Sequence, residues 1–181
     1  TAKLEFKLVM DKAMEPAKLF ALIAEIEKSQ GIAYRDGVDR FSDYVRKMND
    51  AARGKIPEGT EIAFERVRTG QEAAGAGASQ RIPYLLKDKA DVTGEELQDA
   101  QVSLDQESQR PVVVFRLNPR GATLFDQMTA AHIRERIAVV LDGIVHSAPV
   151  INSRIPDGRV QITLGQGDGE ALMREAKDLS T

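Results

Sequence analysis

The chain has 181 residues, 42% of them hydrophobic and 29% charged, which is the composition of a globular protein with one domain or two small ones. Its net charge of −3 provides no basic excess that would indicate nucleic-acid binding. The absence of cysteine excludes disulfides, cysteine-ligated zinc and a cysteine nucleophile, and the two histidines, His132 and His146, are too few for a histidine-rich metal site.

The sequence shows neither a membrane span nor a signal peptide. No apolar run approaches the ~20 residues that a membrane-spanning helix needs, and Thr1 leads straight into a strand pattern without an initiating methionine or a signal peptide. We therefore expect the sequence to be one part of a longer protein, so that the absence of a targeting segment says nothing about that parent.

The first part of the chain predicts a strand followed by two helices. Residues 4–8 alternate between apolar and polar, which is the period of a half-buried strand. Two apolar stripes at helical spacing follow, one beginning near Pro16 and stopping at Gly31, the other stopping near Gly54. Residues 15–54 would thus form a helical hairpin whose apolar faces need a partner, either the rest of the chain or another protein.

The middle of the chain predicts two strands separated by a loop. Residues 61–68 and 82–87 have the apolar residues of strands, and Pro83 predicts that the second strand lies at a sheet edge. Residues 70–80 are rich in glycine and alanine and have no apolar anchor, so we expect a flexible loop there.

The second half of the chain combines strands, turns and two helices. Thr93 and Glu96 have the spacing of a capping box, Asn118 precedes a proline at a helix start, and Asp142-Gly143 is a strong hairpin signal. Because the strands are joined by short turns, we predict an α+β fold with an antiparallel or mixed sheet and several helices. The predicted strands span residues 101–105, 111–117, 137–141, 144–151 and 160–164, and the predicted helices begin at Pro119 and span about residues 169–179.

The residue types of a hydrolase triad occur together at Asp142, His146 and Ser147. His146 and Ser147 are sequence neighbours on a predicted strand, so their side chains point to opposite faces, which is poor geometry for one site. His132, near a predicted helix end, is expected to be a surface or capping residue. We therefore predict no catalytic residues and no enzymatic activity, and a hydrolase centred on His146 is the enzyme alternative.

Cofactor and metal sites are not predicted either. Residues 165–169 are rich in glycine, but they lack the G-x-G-x-x-G spacing and contain Asp168, which would repel a phosphate. We read this segment as a flexible connection between a strand and a helix. The acidic pairs at residues 25/27, 39/43 and 95/96 lack the spacing of a calcium loop and are expected on a solvated face.

Several short motifs occur in an order and spacing typical of one family. They are Thr-Ala-Lys-Leu-Glu-Phe-Lys-Leu-Val at residues 1–9, Val-Thr-Gly-Glu-Glu-Leu-Gln-Asp-Ala at 92–100, Val-Val-Phe-Arg-Leu-Asn at 113–118 with Gly-Ala-Thr-Leu-Phe at 121–125, Ala-Val-Val-Leu-Asp-Gly at 138–143, Ser-Ala-Pro-Val-Ile at 147–151, Gln-Ile-Thr at 161–163, and Glu-Ala-Lys-Asp-Leu at 175–179. Together they resemble the first periplasmic domain of SecD, mostly its head part.

The resemblance covers about residues 1–10 and 92–181, and it implies a single periplasmic head domain over residues 1–181. Residues 15–54 do not fit the family pattern and are expected to be an insertion. The resemblance also implies a parent protein in the inner membrane, with this domain on the periplasmic side, working with SecF and the SecYEG channel.

The function that the resemblance implies is the handling of an emerging, unfolded preprotein and support of its proton-motive-force-dependent export. The proton-carrying residues would belong to the membrane spans and lie outside this chain. No residue is marked as a polypeptide contact, although exposed apolar surface or sheet edges could provide weak binding. The alternative is a structural domain that docks a periplasmic partner through the helical insertion.

Overall fold

The computed structural model describes residues 3–34, 40–68, 79–107, 109 and 111–163. In this part the chain forms nine strands and three α-helices, and the predicted α+β fold with antiparallel and mixed strand pairing is confirmed. The strands are β1 (Leu4–Leu8), β2 (Thr60–Arg68), β3 (Ser79–Lys87), β4 (Val92–Thr93), β5 (Leu97–Leu104), β6 (Pro111–Leu117), β7 (Ile137–Leu141), β8 (Ile144–Ser147) and β9 (Arg159–Thr163), and the helices are α1 (Pro16–Gln30), α2 (Phe41–Ala52) and α3 (Pro119–Ala131).

The chain divides into two compact units. Unit 1 contains Thr1–Leu8, Ala90–Asp142 and His146–Thr181, and unit 2 contains Val9–Lys89 and Gly143–Val145. The assignment of residues 1–181 to a single head domain stays a prediction. Because the chain crosses between the units more than once, no single linker marks the division in the sequence.

Unit 1 is built on two antiparallel sets of strands. In one, β1 pairs with β4 and β7, and in the other, β6 pairs with β5 and β9. The ring of Phe6 on β1 makes edge contacts with Phe115 on β6 (5.9 Å between ring centres) and with Phe125 on α3 (5.5 Å). Through these T-shaped contacts the two sets of strands and α3 share a common core.

The start of α3 follows the sequence signal closely. Asn118 Oδ1 accepts a hydrogen bond from the N–H of Gly121 at 2.8 Å, and Pro119 occupies the first turn, where no intrahelical N–H is needed. Phe125 and Met128 are buried, as predicted. Gly121 permits a close approach, because a Cβ there would lie only 2.6 Å from the Cβ of Glu96.

Unit 2 is a helical layer packed on a small mixed sheet. β2 pairs with β3 in antiparallel orientation, and β8 lies parallel to β2 through the pair Phe64 and Ile144. The inward stripes of α1 and α2 pack on this sheet, which confirms the predicted pair of helices and assigns their buried faces to intramolecular packing. The core consists of Leu19, Ile23, Ile26, Phe41, Tyr44, Met48, Ala52, Ile62, Phe64 and Leu85.

Two predictions about local structure, a turn and a capping box, are confirmed. Asp142 and Gly143 have φ angles of 50° and 81°, which are the left-handed values that a two-residue turn between strands requires. The capping box is also present, because Thr93 accepts a hydrogen bond from the N–H of Glu95 while the carboxylate of Glu96 accepts one from the N–H of Thr93.

Some predicted boundaries were wrong. β8 ends at Ser147 and not at residue 151, because the chain turns out of the strand before Pro149, which cannot donate to a ladder. β5 begins at Leu97, four residues before its predicted start. Of the predicted loop at residues 70–80, the last two residues belong to β3 and the others lie outside the described residues, as do the predicted segments 165–169 and 169–179.

Candidate functional site

The residues of the hydrolase alternative have no common site. The carboxylate of Asp142 is exposed, and its Oδ1 accepts a hydrogen bond from the N–H of Lys3 at 2.8 Å, which ties the turn to the start of β1. His146 and Ser147 are consecutive residues of β8, so their side chains leave opposite faces of the strand. The geometry therefore gives the alternative no support.

His132 is part of a helix end. It is the residue that closes α3, and its Nδ1 lies 2.6 Å from Oε2 of Glu135 in the loop that follows. Within the described ranges no group of three or more histidine, aspartate or glutamate residues is placed to hold a metal ion. Glu96 has a structural role in the capping box, and Asp39 of the predicted acidic pairs lies outside the described residues.

Unit 2 contains two arginines that face each other across a strand pair. Arg66 on β2 and Arg81 on β3 are direct partners in the register, an arrangement that is unfavourable for like charges unless other groups offset it. Arg81 lies 4.6 Å from the ring centre of Tyr44 and 3.9 Å from the carboxylate of Glu27. Arg66 lies 5.1 Å from the ring centre of Phe41.

Tyr34 completes this cluster of aromatic rings and guanidinium groups. Its hydroxyl accepts a hydrogen bond from Arg66 at 3.2 Å, and the guanidinium of Arg81 lies 5.3 Å from its ring centre. Burial raises the pKa of Tyr44 to about 12, against the opposing effect of the nearby Arg81. The cluster joins the helical layer to the strands, and its cation–π contacts stabilise unit 2 from within.

Exposed apolar side chains point to two surfaces that could contact other molecules. On α1 the Phe20 side chain is 53% exposed, and Ala17, Ala21 and Ala24 beside it are exposed too. On β5 the Leu104 side chain is 63% exposed, the largest fraction among the large apolar residues described. Single exposed apolar residues are common, so the surroundings of each decide its meaning.

The surroundings of Leu104 include an unpaired strand edge. In the described part of the chain β5 has one strand neighbour, β6, and the backbone hydrogen bonds between other segments include none from Gln98–Leu104. The N–H of Leu97 donates to the carbonyl of Gly94. In an antiparallel pair about half of the residues of an edge strand direct their N–H and C=O groups away from the partner. From Gln98 to Leu104, β5 therefore presents a row of backbone donors and acceptors along roughly 23 Å.

The apolar row on this edge becomes more exposed along the strand. Ala100, Val102 and Leu104 face the same side as Phe115 of β6, since residues opposite one another in the register share a face. Ala100 is 8% exposed, Val102 is half-buried and Leu104 is mostly exposed. Among the described residues, the end of β5 thus combines an outer edge that has no strand partner with exposed apolar side chains.

Two other edge strands are protected in the usual ways. β3 contains Pro83, and its outer side is partly covered because the carbonyl of Leu85 accepts a hydrogen bond from the N–H of Met10 at 2.7 Å. β4 has only two residues. Proline, short length and covering segments are recognised means of blocking an edge. β5 has eight residues and no proline, and no described segment covers its outer side.

These features define an α+β protein whose described part has a strand edge without a second neighbour and several exposed apolar side chains. No helix of the described residues is long and apolar enough to cross a membrane. Residues 67–181, more than half of the chain, match the model of the family described as SecDF, P1 head subdomain. The chain belongs to this family, as the motif order in the sequence predicts.

Two relatives agree with this assignment. The chain is 39% identical over 131 residues to the protein translocase subunit SecD of Desulfurispirillum indicum, covering 72% of this chain and 24% of that protein. It is 35% identical to SecD of Rhodothermus marinus in an alignment that covers all of this chain and 30% of that protein. This chain thus spans about a quarter of the length of these relatives.

The fold is similar to part of a crystal structure of SecDF in its super-membrane-facing form. The match has a TM-score of 0.51 and 22% sequence identity, and it covers 99% of this chain and 18% of that one. At this identity the likeness concerns the fold alone. It agrees with the α+β assignment, and it covers both units.

Proposed function

We propose that this chain is a periplasmic head domain of a SecD subunit and that it handles unfolded preprotein during export. The observation that carries the proposal is the match of residues 67–181 to the SecDF head-subdomain family. The outer edge of β5, which has no strand neighbour among the described residues, supports it, because an unfolded chain offers the extended backbone that such an edge can pair with. Enzymatic chemistry is not part of the proposal.

The proposal places the parent protein in the inner membrane, with this domain on the periplasmic side. Its partners there would be SecF, the SecYEG channel and the emerging preprotein. Support for proton-motive-force-dependent completion of export would come from the parent protein as a whole, since this chain spans only about a quarter of its relatives. The role of this domain would be to hold the client chain.

The direct test is site-specific photo-crosslinking in the intact translocon with an export intermediate stalled in the channel. A photoreactive residue would replace, one at a time, four exposed residues on different surfaces of the domain: Phe20, Gln101, Gln127 and Val150. We expect a crosslink to the stalled preprotein from at least one position, lost when the intermediate is released. Absence of any crosslink from all four would refute preprotein handling by this domain.

A second function is favoured by the exposed side of α1. Phe20 lies among exposed alanines on a helix whose opposite side is buried in unit 2, so α1 has a short exposed apolar stripe beside exposed charged residues such as Lys18 and Glu25. An exposed apolar stripe of this kind is a common feature of surfaces that bind another protein. Docking of a periplasmic partner protein on α1 is therefore the alternative function, with residues 15–54 as the docking insertion.

A point substitution tests this alternative better than removal of the helices, because deleting residues 15–54 would expose the core of unit 2. Phe20→Ser should leave the fold intact and reduce recovery of a periplasmic partner with the parent protein, while export continues. Lys18→Ser, another exposed position of α1, is the matched control. Unchanged partner recovery with Phe20→Ser would remove the support for docking through α1.

A further inference from the structure

The long edge of β5 has properties that natural edge strands generally avoid. Its eight residues, Leu97–Leu104, contain no proline, lysine or arginine, and Asp99 and the irregularity in pairing near it are confined to the first half of the strand. From Ala100 to Leu104 the pairing with β6 is regular. An exposed, regular and uncharged edge of this kind is a template for another strand.

We propose that the second half of β5, from Ala100 to Leu104, binds an extended segment of the client polypeptide by adding it as a further strand to the β5–β6–β9 sheet. The proposal rests on the function proposed above and gives it a site. The occupant follows from the chemistry of the edge, because alternating backbone donors and acceptors are matched by another extended backbone and by little else.

The apolar row on β5 determines which segments bind best. A strand added beside β5 would place every second side chain next to Val102, which is half-buried, and Leu104, which is exposed. Its other side chains would lie beside Gln101 and Ser103, which are exposed on the opposite face. We therefore infer that the preferred client segment alternates apolar with small polar residues. Segments that will become strands in the folded client often have this pattern.

Hydrogen exchange on the 181-residue chain tests the site directly. The probe is a dye-labelled peptide of about ten residues that alternates valine and threonine and has no charged side chains. We expect it to slow amide exchange within residues 100–104 and to leave the exchange of α1 unchanged. A matched peptide with N-methyl groups along both edges cannot form the ladder, and we expect it to lose most of the binding.

Two substitutions of equal charge separate the edge from the rest of the surface. Ser103→Lys puts on the exposed face of β5 a charge of the kind that discourages strand pairing at edges. Gln127→Lys adds the same charge on the exposed side of α3. We expect Ser103→Lys to weaken peptide binding about tenfold, equivalent to ~1.4 kcal/mol, and Gln127→Lys to leave it unchanged. Circular dichroism of both variants checks that the fold is retained.

The results that overturn the proposal are distinct from those that overturn preprotein handling. Protection outside β5, equal binding of the N-methylated peptide, or equal affinity of the two lysine variants would each refute strand addition at this edge. Protection of residues 100–104 that depends on protein concentration and needs no peptide would make the occupant a second copy of this chain. If crosslinking to preprotein succeeds while these tests fail, the function stands and the site is elsewhere.

Discussion

Asn49 on α2 provides the sharpest test of how unit 2 is held together. Its side-chain Nδ2 donates to the carbonyl of Ile62 at 2.9 Å, and its Oδ1 accepts from the N–H of Ile62 at 2.7 Å. On its other side Ile62 faces Leu85 of β3, while β8 joins β2 only from Phe64 onwards. The amide of Asn49 thus takes the place of a missing neighbour strand.

The expected cost of Asn49→Ala follows from the two backbone groups that lose their partner. A buried donor or acceptor left unpaired costs about 1–3 kcal/mol. Both groups of Ile62 are affected, but Asn49 is only partly buried, so water can replace some of the loss. We therefore expect the free energy of unfolding of unit 2 to fall by about 2–4 kcal/mol.

Tyrosine fluorescence during urea unfolding can report this change selectively. The chain has three tyrosines and no tryptophan, and Tyr34, Tyr44 and Tyr84 all lie in unit 2. Asn152→Ala, at an exposed position of unit 1, is the matched control and should not move the midpoint. If Asn49→Ala stayed within about 0.5 kcal/mol of the wild type, as surface substitutions do, the role assigned to Asn49 would be wrong.

Three further predictions concern caps and titrating groups. Asn118→Ala should destabilise the chain by about 1 kcal/mol, with Asn118→Ser retaining most of the stability, as measured by thermal unfolding followed by circular dichroism; equal losses would contradict the capping role. Burial raises the pKa of Tyr44 from 10.0 to about 12, so the folded state stays protonated at pH values where the unfolded state loses the proton. The free energy of unfolding should therefore fall as pH rises from 10.0 towards 12. Tyr44→Phe should reduce this fall in urea titrations, and an unchanged fall would contradict the assigned role of Tyr44. The hydrogen bond from Arg154 lowers the pKa of Asp126. The ion pair therefore stabilises the folded state at pH values above the pKa that Asp126 has in the unfolded chain, and this contribution is lost as pH falls. Asp126→Asn should slightly reduce the loss of stability at acid pH, since the pair is exposed, and a larger loss would refute this.

Local sequence signals account for much of the fold. The capping box at Thr93 and Glu96, the proline after Asn118 and the Asp142-Gly143 turn were all predicted, because each is decided by residues within a few positions of one another. The alternation in β1 was likewise sufficient to place that strand. The physical cause of each of these features lies within a short stretch of neighbouring residues.

Features that depend on distant partners could not be predicted in this way. The parallel pairing of β8 with β2 joins residues about eighty positions apart, and the division into two units follows from such pairings. Asn49 has no signal in the sequence, since its role depends on where Ile62 lies in three dimensions. The early start of β5 was missed because Leu97–Ala100 has few residues that favour strands, and pairing with β6 overrides that preference.

The absence of a polypeptide-binding signal in the sequence has a physical explanation if strand addition at β5 is correct. Backbone N–H and C=O groups are the same at almost every residue, so a site built from them leaves no signature of residue types. What distinguishes Ala100–Leu104 is the lack of guarding residues together with an uncovered apolar row, and both become visible only once β5 is known to be an edge. A site of this kind would accept many client sequences, because its main contacts are to atoms that all of them share.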